Sequence, residues 1–233
     1  WARTLAATVR MDKIITEHAA IMDKYDPRKR VALLVDEWGT WYDVEPGTNP
    51  GFLYQQNSLR DAIVASLNFD IFARHTDRLR GANIAQMVNV LQSLLLTEGD
   101  KMVKTPTYWV FDMYKDYQDA TVLTVDVDSR SYSKNGSTLK AISASAVRDA
   151  AGVVHMGLTN VDPNRAETVR VKLDGLNVTR VSGRILTATA MDAHNTFGAP
   201  DTVRPAPFAG ARISDGTLSV SLPPKSIVML DLR

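Results

Sequence analysis

The pattern of apolar residues changes near residue 119, and this change limits the fold more than any other feature of the chain. Before that point, segments with helical spacing alternate with short apolar runs such as 31–35, which lies between charged residues. Runs of this kind are typical of strands buried on both faces of a parallel sheet. Helices are predicted within 1–26, over 57–75 and before Tyr117, and strands over 31–35 and 79–86. The alternation predicts an α/β fold.

From Ala120 onward the chain consists of short segments rich in β-branched residues, several of them with period-two alternation. Strands are predicted over 121–127, 141–147, 152–158, 168–173, 184–188, 217–222 and 226–232. Turn signals such as Asn135-Gly136 and Asp215-Gly216 separate them. Short strands at this spacing predict an all-β sandwich. We therefore place a domain boundary between the α/β region, 1–119, and the sandwich, 120–233.

Charge and composition argue against several classes of function. The formal net charge is +1 and the chain has no run of Lys or Arg, so no nucleic-acid partner is expected. No apolar stretch is long enough for a bilayer crossing, so no membrane association is expected. Cysteine is absent and no two histidines have metal-binding spacing, so we expect no metal site and no cofactor. The chain starts at Trp1 without a signal-peptide pattern, which suggests a start midway through a protein and leaves localisation open.

The segment Val35-Asp-Glu-Trp-Gly-Thr-Trp-Tyr42 carries the clearest chemistry. A predicted strand ends there on a carboxylate pair flanked by two tryptophans, and a long loop follows. In α/β barrels, catalytic groups stand at such carboxyl ends of strands. A carboxylate beside flat aromatic faces suits a glycosidase, which stabilises an oxocarbenium-like centre. The alternative is structural, because an Asp-Glu pair after a strand is often a solvated strand end or a helix cap.

Longer segments resemble family 51 of the glycoside hydrolases, the α-L-arabinofuranosidases. The resemblance is carried by 35–43, by Pro46-Gly-Thr-Asn-Pro-Gly-Phe-Leu-Tyr-Gln-Gln-Asn-Ser-Leu-Arg-Asp61, by Ala82-Asn-Ile-Ala-Gln-Met-Val-Asn-Val-Leu-Gln92, by Thr105-Pro-Thr-Tyr108 and Phe111-Asp-Met-Tyr114, and by His194-Asn-Thr-Phe197 and 222–230. These motifs cover nearly the whole chain. The resemblance implies the C-terminal portion of a (β/α)8 TIM barrel followed by a jelly-roll-like β-sandwich.

The resemblance also implies roles for individual residues. Glu37 stands where the family has its catalytic nucleophile, at the end of barrel strand seven. The substrate-binding residues carried over are Gln86, which lies near the bound arabinose, Trp41, which lines the cleft, and Trp38, which follows the nucleophile. Taken without the family, Gln86 is equally compatible with a hydrogen bond to backbone, and Trp41 with core packing. Asn89 is a further candidate, with ordering of the loop as the alternative, and Trp109 departs from the histidine of close relatives.

The implied activity is the release of terminal α-L-arabinofuranosyl groups from hemicellulose or oligosaccharides by double displacement. This mechanism needs a second carboxyl group, which the family supplies as a glutamate after an asparagine, and no Asn-Glu occurs here. Asp36 is a poor substitute, because neighbouring strand residues point to opposite faces. A barrel needs eight strands and residues 1–119 supply about two. We therefore expect an N-terminal remainder of the same enzyme as a partner, and inactivity without it.

Two other interpretations stay open at this point. A relative with xylosidase or endoglucanase specificity keeps the same fold and mechanism. A non-catalytic carbohydrate-binding or assembly fragment is the alternative from another class. The sandwich has no tryptophan, which argues against a sugar-binding face there. Family members are often oligomeric, so the resemblance also makes a homo-oligomer a candidate assembly.

Overall fold

A computed structural model describes all 233 residues, and its N-terminal part is a mixed α/β region. The elements in order are α1 (Ala2–Thr8), α2 (Arg10–Tyr25), β1 (Leu33–Trp38), α3 (Leu59–Arg74), β2 (Leu79–Ile84), β3 (Leu95–Glu98), β4 (Lys101–Lys104) and α4 (Pro106–Tyr114). Strands β1 and β2 pair in parallel, and α3 connects them. This is a βαβ unit, which requires a crossover of a dozen or more residues.

Helix α3 lies at the centre of the molecule. Ser58 and Asp61 form a capping box, in which each side chain bonds to the backbone of the other residue and fixes the first turn. Thirteen of its 16 residues are buried, which is the pattern of a helix enclosed on all sides rather than amphipathic. The helix packs against α1, α2 and α4 and against strands of the C-terminal region. It therefore joins the two regions of the chain.

The C-terminal region contains two main antiparallel sheets. Its strands are β5 (Thr121–Leu123), β6 (Ser131–Lys134), β7 (Ser137–Lys140), β8 (Ile142–Arg148), β9 (Val154–Asn160), β10 (Glu167–Lys172), β11 (Val181–Leu186), β12 (Ala206–Pro207), β13 (Ala211–Ser214), β14 (Thr217–Leu222) and β15 (Ser226–Leu232). One sheet has the order β12-β11-β15-β9-β8-β5 and the other β10-β14-β13, while β6 and β7 form a separate hairpin. A cluster of 13 buried apolar residues draws on both sheets, as expected for a sandwich.

A second and larger cluster of 24 buried residues crosses the predicted boundary at residue 119. It contains Leu67 and Phe72 of α3 together with Tyr132, Ile227 and Met229 from the C-terminal region. The two regions therefore share this larger cluster. The boundary at residue 119 stays a prediction.

Polar contacts also link the two regions. The carboxylate of Asp70 in α3 is fully buried and accepts hydrogen bonds from the hydroxyl groups of Ser143 and Ser145, at 2.6 Å each, and of Tyr114, at 3.0 Å. Ser143 and Ser145 belong to β8, whereas Tyr114 ends α4. One buried carboxylate thus ties two helices to the larger sheet.

Most of the predicted elements are present, with shifted ends. The first predicted helix is two helices that meet at Val9, and the predicted strand 121–127 is regular only over Thr121–Leu123. The hairpins β3–β4 and β6–β7 were not predicted. The α/β region holds one parallel pair of strands, so the (β/α)8 barrel stays a prediction. None of the helices combines the length and apolar character needed to cross a membrane.

Candidate active site

The carboxyl ends of β1 and β2 lie side by side. The backbone N–H of Ala85 donates a 2.9 Å hydrogen bond to the carbonyl of Trp38, which joins the two ends. The loops that leave these strands therefore begin next to each other, as they do at the catalytic end of parallel α/β sheets. Glu37 lies in β1 just before this point and Gln86 lies just after β2, and both side chains are exposed.

A β-bulge in β1 decides which face each carboxylate occupies. Val35 pairs with Ala82 and Trp38 with Ile84, so β1 advances from 35 to 38 while β2 advances from 82 to 84. The extra residue breaks strict alternation. Asp36 and Glu37 are both exposed, and the side-chain amide of Asn83 donates a 3.0 Å hydrogen bond to Asp36.

The expectation that Asp36 and Glu37 point in opposite directions is therefore corrected. It rested on regular alternation, which the bulge interrupts. Both carboxylates face solvent at the same strand end, and they differ in their partners. Asp36 is held by Asn83, whereas the Glu37 carboxylate makes no hydrogen bond within the chain. Glu37 is thus the carboxylate that is free to meet a ligand.

The structure corrects the prediction that Trp38 binds substrate. Its side chain is 4% exposed and packs among aromatic rings behind the sheet. It stacks on Phe111 with ring centroids 6.1 Å apart and meets Phe69 and Phe72 edge-on. The bulge turns Trp38 to the same face as Val35, towards α3 and α4. Trp38 supports the strand end from below and offers no face to a sugar.

Trp41 has the opposite environment. Its side chain is 64% exposed, so the alternative of core packing does not apply. It lies on the loop that follows β1, four residues after Glu37. Gln86 is also exposed, and its backbone carbonyl, rather than its side chain, accepts from the N–H of Leu94. The side chains of Trp41 and Gln86 are thus exposed, and their contact with substrate stays a prediction.

Asn89 and Trp109 both make contacts within the chain. The Asn89 side chain bonds to the backbone N–H and hydroxyl group of Thr97, which orders the turn before β3. Trp109 packs edge-on against Tyr108, and the Lys104 ammonium lies over both rings. Neither residue belongs to the strand ends that carry Glu37 and Gln86.

Buried amides that the sequence analysis did not single out connect the two loops. Gln92 accepts a hydrogen bond from the Thr40 hydroxyl, and Gln55 accepts one from the Tyr42 backbone N–H. Asn57 donates to the Gln92 carbonyl at 3.0 Å. All three lie inside the quoted family motifs. The local signal for Gln55 and Asn57 is the polar run 55–57 directly before an apolar helix, and Gln92 has no such signal.

An ion pair stabilises the base of the first loop. Arg60 donates two hydrogen bonds to Asp61, and its guanidinium lies 4.0 Å from the ring centroid of Tyr42. Burial raises the pKa of Asp61, an effect that Arg60 and Ser58 oppose.

No group of three or more histidine, aspartate or glutamate side chains is arranged to hold a metal ion. The site therefore consists of an open carboxylate, an amide and an aromatic face on loops fixed from below.

Comparison with known proteins points to one family. The family model for the α-L-arabinofuranosidase C-terminal domain matches residues 36–226. An intracellular exo-α-L-arabinofuranosidase of Bacteroides ovatus is 48% identical over 99% of this chain and 45% of its own length. An intracellular exo-α-(1→5)-L-arabinofuranosidase of Streptomyces lividans is 31% identical over 95% of this chain and 36% of its own length.

Solved structures agree with the sequence comparisons. The family 51 arabinofuranosidase of Xanthomonas axonopodis pv. citri matches with a TM-score of 0.98 and 56% identity, over 100% of this chain and 47% of that one. The Thermotoga maritima α-L-arabinofuranosidase, solved as an arabinose complex, has a TM-score of 0.84 at 22% identity, a likeness of fold alone. The mostly-β architecture with few helices matches the C-terminal domain of these structures. The chain spans about half the length of the first two structures and of the Bacteroides relative.

Proposed function

The chain belongs to the α-L-arabinofuranosidase family, and from this premise we propose that it carries the nucleophile side of a retaining exo-α-L-arabinofuranosidase site. The observation that carries the proposal is the exposed Glu37 carboxylate at the joined carboxyl ends of two parallel strands. Its neighbours support the same reading, because Gln86 and Trp41 leave those ends on adjacent loops with exposed side chains. Trp38 has no contact with substrate in this proposal.

Glu37 acts as the nucleophile of a double displacement. Its carboxylate attacks the anomeric carbon while a second carboxyl group protonates the departing oxygen, and an ester between Glu37 and the arabinofuranosyl group results. Water then enters, the second group takes its proton, and the ester is hydrolysed with net retention. In this proposal Asp36 stays bonded to Asn83 and takes no part in the displacement.

The exposed side chains beside Glu37 have distinct tasks. The amide of Gln86 offers both a donor and an acceptor to sugar hydroxyl groups. The Trp41 indole provides a flat apolar surface on which the sugar or the following residue of the substrate stacks. A site with one such platform and an open carboxylate suits the removal of a terminal sugar, the exo action named for the Bacteroides and Streptomyces relatives.

The acid/base carboxyl group comes from residues outside this chain. Retaining glycosidases place their two carboxyl groups about 5–5.5 Å apart. Asp36 is a poor candidate, because it is the sequence neighbour of Glu37 and is already bonded to Asn83. In the proposal, an N-terminal half supplies the remaining barrel strands and the second carboxyl group. Arabinose-containing oligosaccharides or hemicellulose are the substrates.

The test compares Glu37→Gln with Asp36→Asn in a completed enzyme, defined as this chain preceded by the N-terminal half of the Xanthomonas protein. The assay is hydrolysis of 4-nitrophenyl α-L-arabinofuranoside. We expect Glu37→Gln to lower kcat/KM by roughly a thousandfold or more, because the ester cannot form. Asp36→Asn keeps an oxygen that accepts from Asn83, and we expect a loss of less than about tenfold. The 233-residue chain without the added half should be inactive.

Two further measurements separate a chemical loss from a folding defect. Circular dichroism of both variants should match the parent, since each substitution is isosteric and exposed. A slow 2-fluoro-arabinofuranosyl substrate should leave a covalent adduct on the peptide that contains Glu37, detected by mass spectrometry. Full activity of Glu37→Gln, or an adduct on another residue, would refute the assignment.

A further inference from the structure

The loop after β1 exposes one large side chain while fixing the residues on either side of it. Trp41 is 64% exposed and has no hydrogen-bond partner within the chain. Thr40 and Tyr42, by contrast, are partly buried, and both are bound by glutamine side chains from other segments. An exposed aromatic residue between two anchored neighbours is the arrangement of a fixed platform rather than a free loop tip.

The anchor on the Thr40 side is Gln92. Its side-chain oxygen accepts a hydrogen bond from the Thr40 hydroxyl, and the residue is 5% exposed. Gln92 is itself held, because its carbonyl accepts from Asn57, whose amide also donates to Thr107 in the first turn of α4 at 2.7 Å. Thr40 is thus connected to helix α4 through Gln92, Asn57 and Thr107.

The anchor on the Tyr42 side is Gln55, which is 1% exposed. Its side-chain oxygen accepts from the Tyr42 backbone N–H at 2.7 Å, and its own N–H donates to the Leu91 carbonyl at 3.0 Å. The Tyr42 side chain adds two contacts, since Arg60 covers its ring and its hydroxyl donates to Thr4 at 3.0 Å. The loop is therefore held from α1, from α3 and from the loop after β2.

We propose that Gln55 and Gln92, together called the glutamine clamp, are positioning residues that hold Trp41 as a preformed sugar platform beside Glu37. The inference rests on the proposed function for the role of Trp41, but the clamp itself is a property of this chain. The side-chain oxygens of both glutamines are paired, and an unpaired buried acceptor is costly, whereas their side-chain nitrogens have no partner within the chain. With both neighbours fixed, the backbone at Trp41 loses little freedom on binding, and preorganisation of this kind raises affinity.

The kinetic test breaks the Thr40–Gln92 bond of the clamp, through either of its two partners, in the completed enzyme. Thr40→Val and Gln92→Met should each raise KM roughly fivefold and change kcat less than about twofold, because the platform is a binding contact. Thr40→Ser keeps the hydroxyl and should behave as the parent. Gln118→Met, at an exposed glutamine, is the matched control. The double variant Thr40→Val/Gln92→Met should be no worse than either single variant, since both remove the same bond.

A second readout does not depend on activity. The 233-residue chain labelled with 5-fluorotryptophan should give a Trp41 resonance, assigned by its loss in Trp41→Phe. Gln92→Met, Thr40→Val and Gln55→Met should narrow and shift this resonance as the indole gains freedom, while Gln118→Met should not. An unchanged Trp41 resonance together with an unchanged KM overturns the clamp. A completed enzyme that hydrolyses nothing overturns the proposed function instead, and the fluorine spectra still decide the clamp.

Discussion

Three carboxylates in this chain differ in exposure and in hydrogen bonding because of the residues that surround them. Glu37 is exposed and unbonded, Asp36 is exposed but bonded to Asn83, and Asp70 is buried among hydroxyl groups. An open carboxylate is available for chemistry. A carboxylate that accepts several buried hydrogen bonds organises structure instead.

Asp70 should make the stability of the chain depend on pH. Burial raises its pKa from 3.8 to about 6, although Ser143, Ser145 and Tyr114 donate to it and oppose the shift. A carboxyl group whose pKa is higher in the folded state gives stability that is complete below its unfolded pKa. That stability is lost as the pH rises through about 6. Relative to Asp70→Asn, the parent should lose on the order of 3 kcal/mol between pH 4 and 7.

Urea unfolding of both proteins across this pH range measures the effect. The quantity of interest is the difference between the two unfolding free energies at each pH, because other carboxyl groups titrate equally in both proteins. Asp174→Asn, at an exposed position, is the control and should follow the parent. Parallel curves for Asp70→Asn and the parent would contradict the prediction.

The residues of the candidate site differ in how far the sequence predicts them. Glu37 and Trp41 were predicted from a local motif and Gln86 from the family resemblance. All three are exposed, and their roles toward substrate stay predictions. Trp38 was not predicted correctly, because a bulge depends on the partner strand and is invisible in one strand alone. Gln55 and Gln92 were missed for a related reason. Their bonds to Tyr42 and Thr40 join residues 13 and 52 positions apart in the chain, and no local pattern encodes such pairs.

At the scale of elements, those with a strong apolar periodicity were predicted correctly, and short polar elements were not predicted. Helix α3 and strand β2 follow from apolar spacing and clear breakers. Hairpin β6–β7 is mostly polar, and each of its strands has a single buried residue, Tyr132 in β6 and Leu139 in β7. Its Asn135-Gly136 turn was recognised, but its strands were not. The short helix α1 was merged with α2 because both have helical spacing and no proline or glycine separates them.

The contact between the end of α4 and strand β9 depends on a residue without a side chain. A Cβ atom at Gly157 would lie 2.8 Å from Cζ of Tyr114 and closer still to its hydroxyl oxygen. We therefore expect Gly157→Ala to push Tyr114 from its place beside Asp70 and to destabilise the fold by about 1–3 kcal/mol, the usual range for overpacking. Gly198→Ala is the matched control, because a Cβ there has no neighbour within 4 Å.

Thermal unfolding of the two alanine variants tests this contact. Gly157→Ala should lower Tm by several degrees, whereas Gly198→Ala should leave it nearly unchanged. The double variant Gly157→Ala/Tyr114→Phe, which removes the nearest oxygen, should recover part of the loss. Equal melting temperatures for both single variants would show that Tyr114 moves without cost.

At the scale of the whole molecule, the two regions separated in the sequence are joined by a common core. The larger apolar cluster includes α3 and residues from β6, β7, β11 and β15. The buried Asp70 adds polar contacts between α3 and β8. The smaller cluster lies within the sandwich alone. The sandwich thus has a core of its own, while the α/β region buries much of its apolar surface against the sandwich.

This asymmetry predicts one cooperative unfolding transition for the 233-residue chain. Because α3 cannot leave without exposing residues such as Ile227 and Met229, the two regions should melt together, with equal calorimetric and van't Hoff enthalpies. The fragment 120–233 should keep its β-sheet signal but melt at a lower temperature and self-associate, since the surface that α3 covers becomes solvent-exposed. Two resolved transitions, or a monomeric fragment as stable as the whole chain, would mean that the shared core contributes little. In that case the boundary at residue 119 would separate independent domains, and the platform beside Glu37 would rest on the α/β region alone.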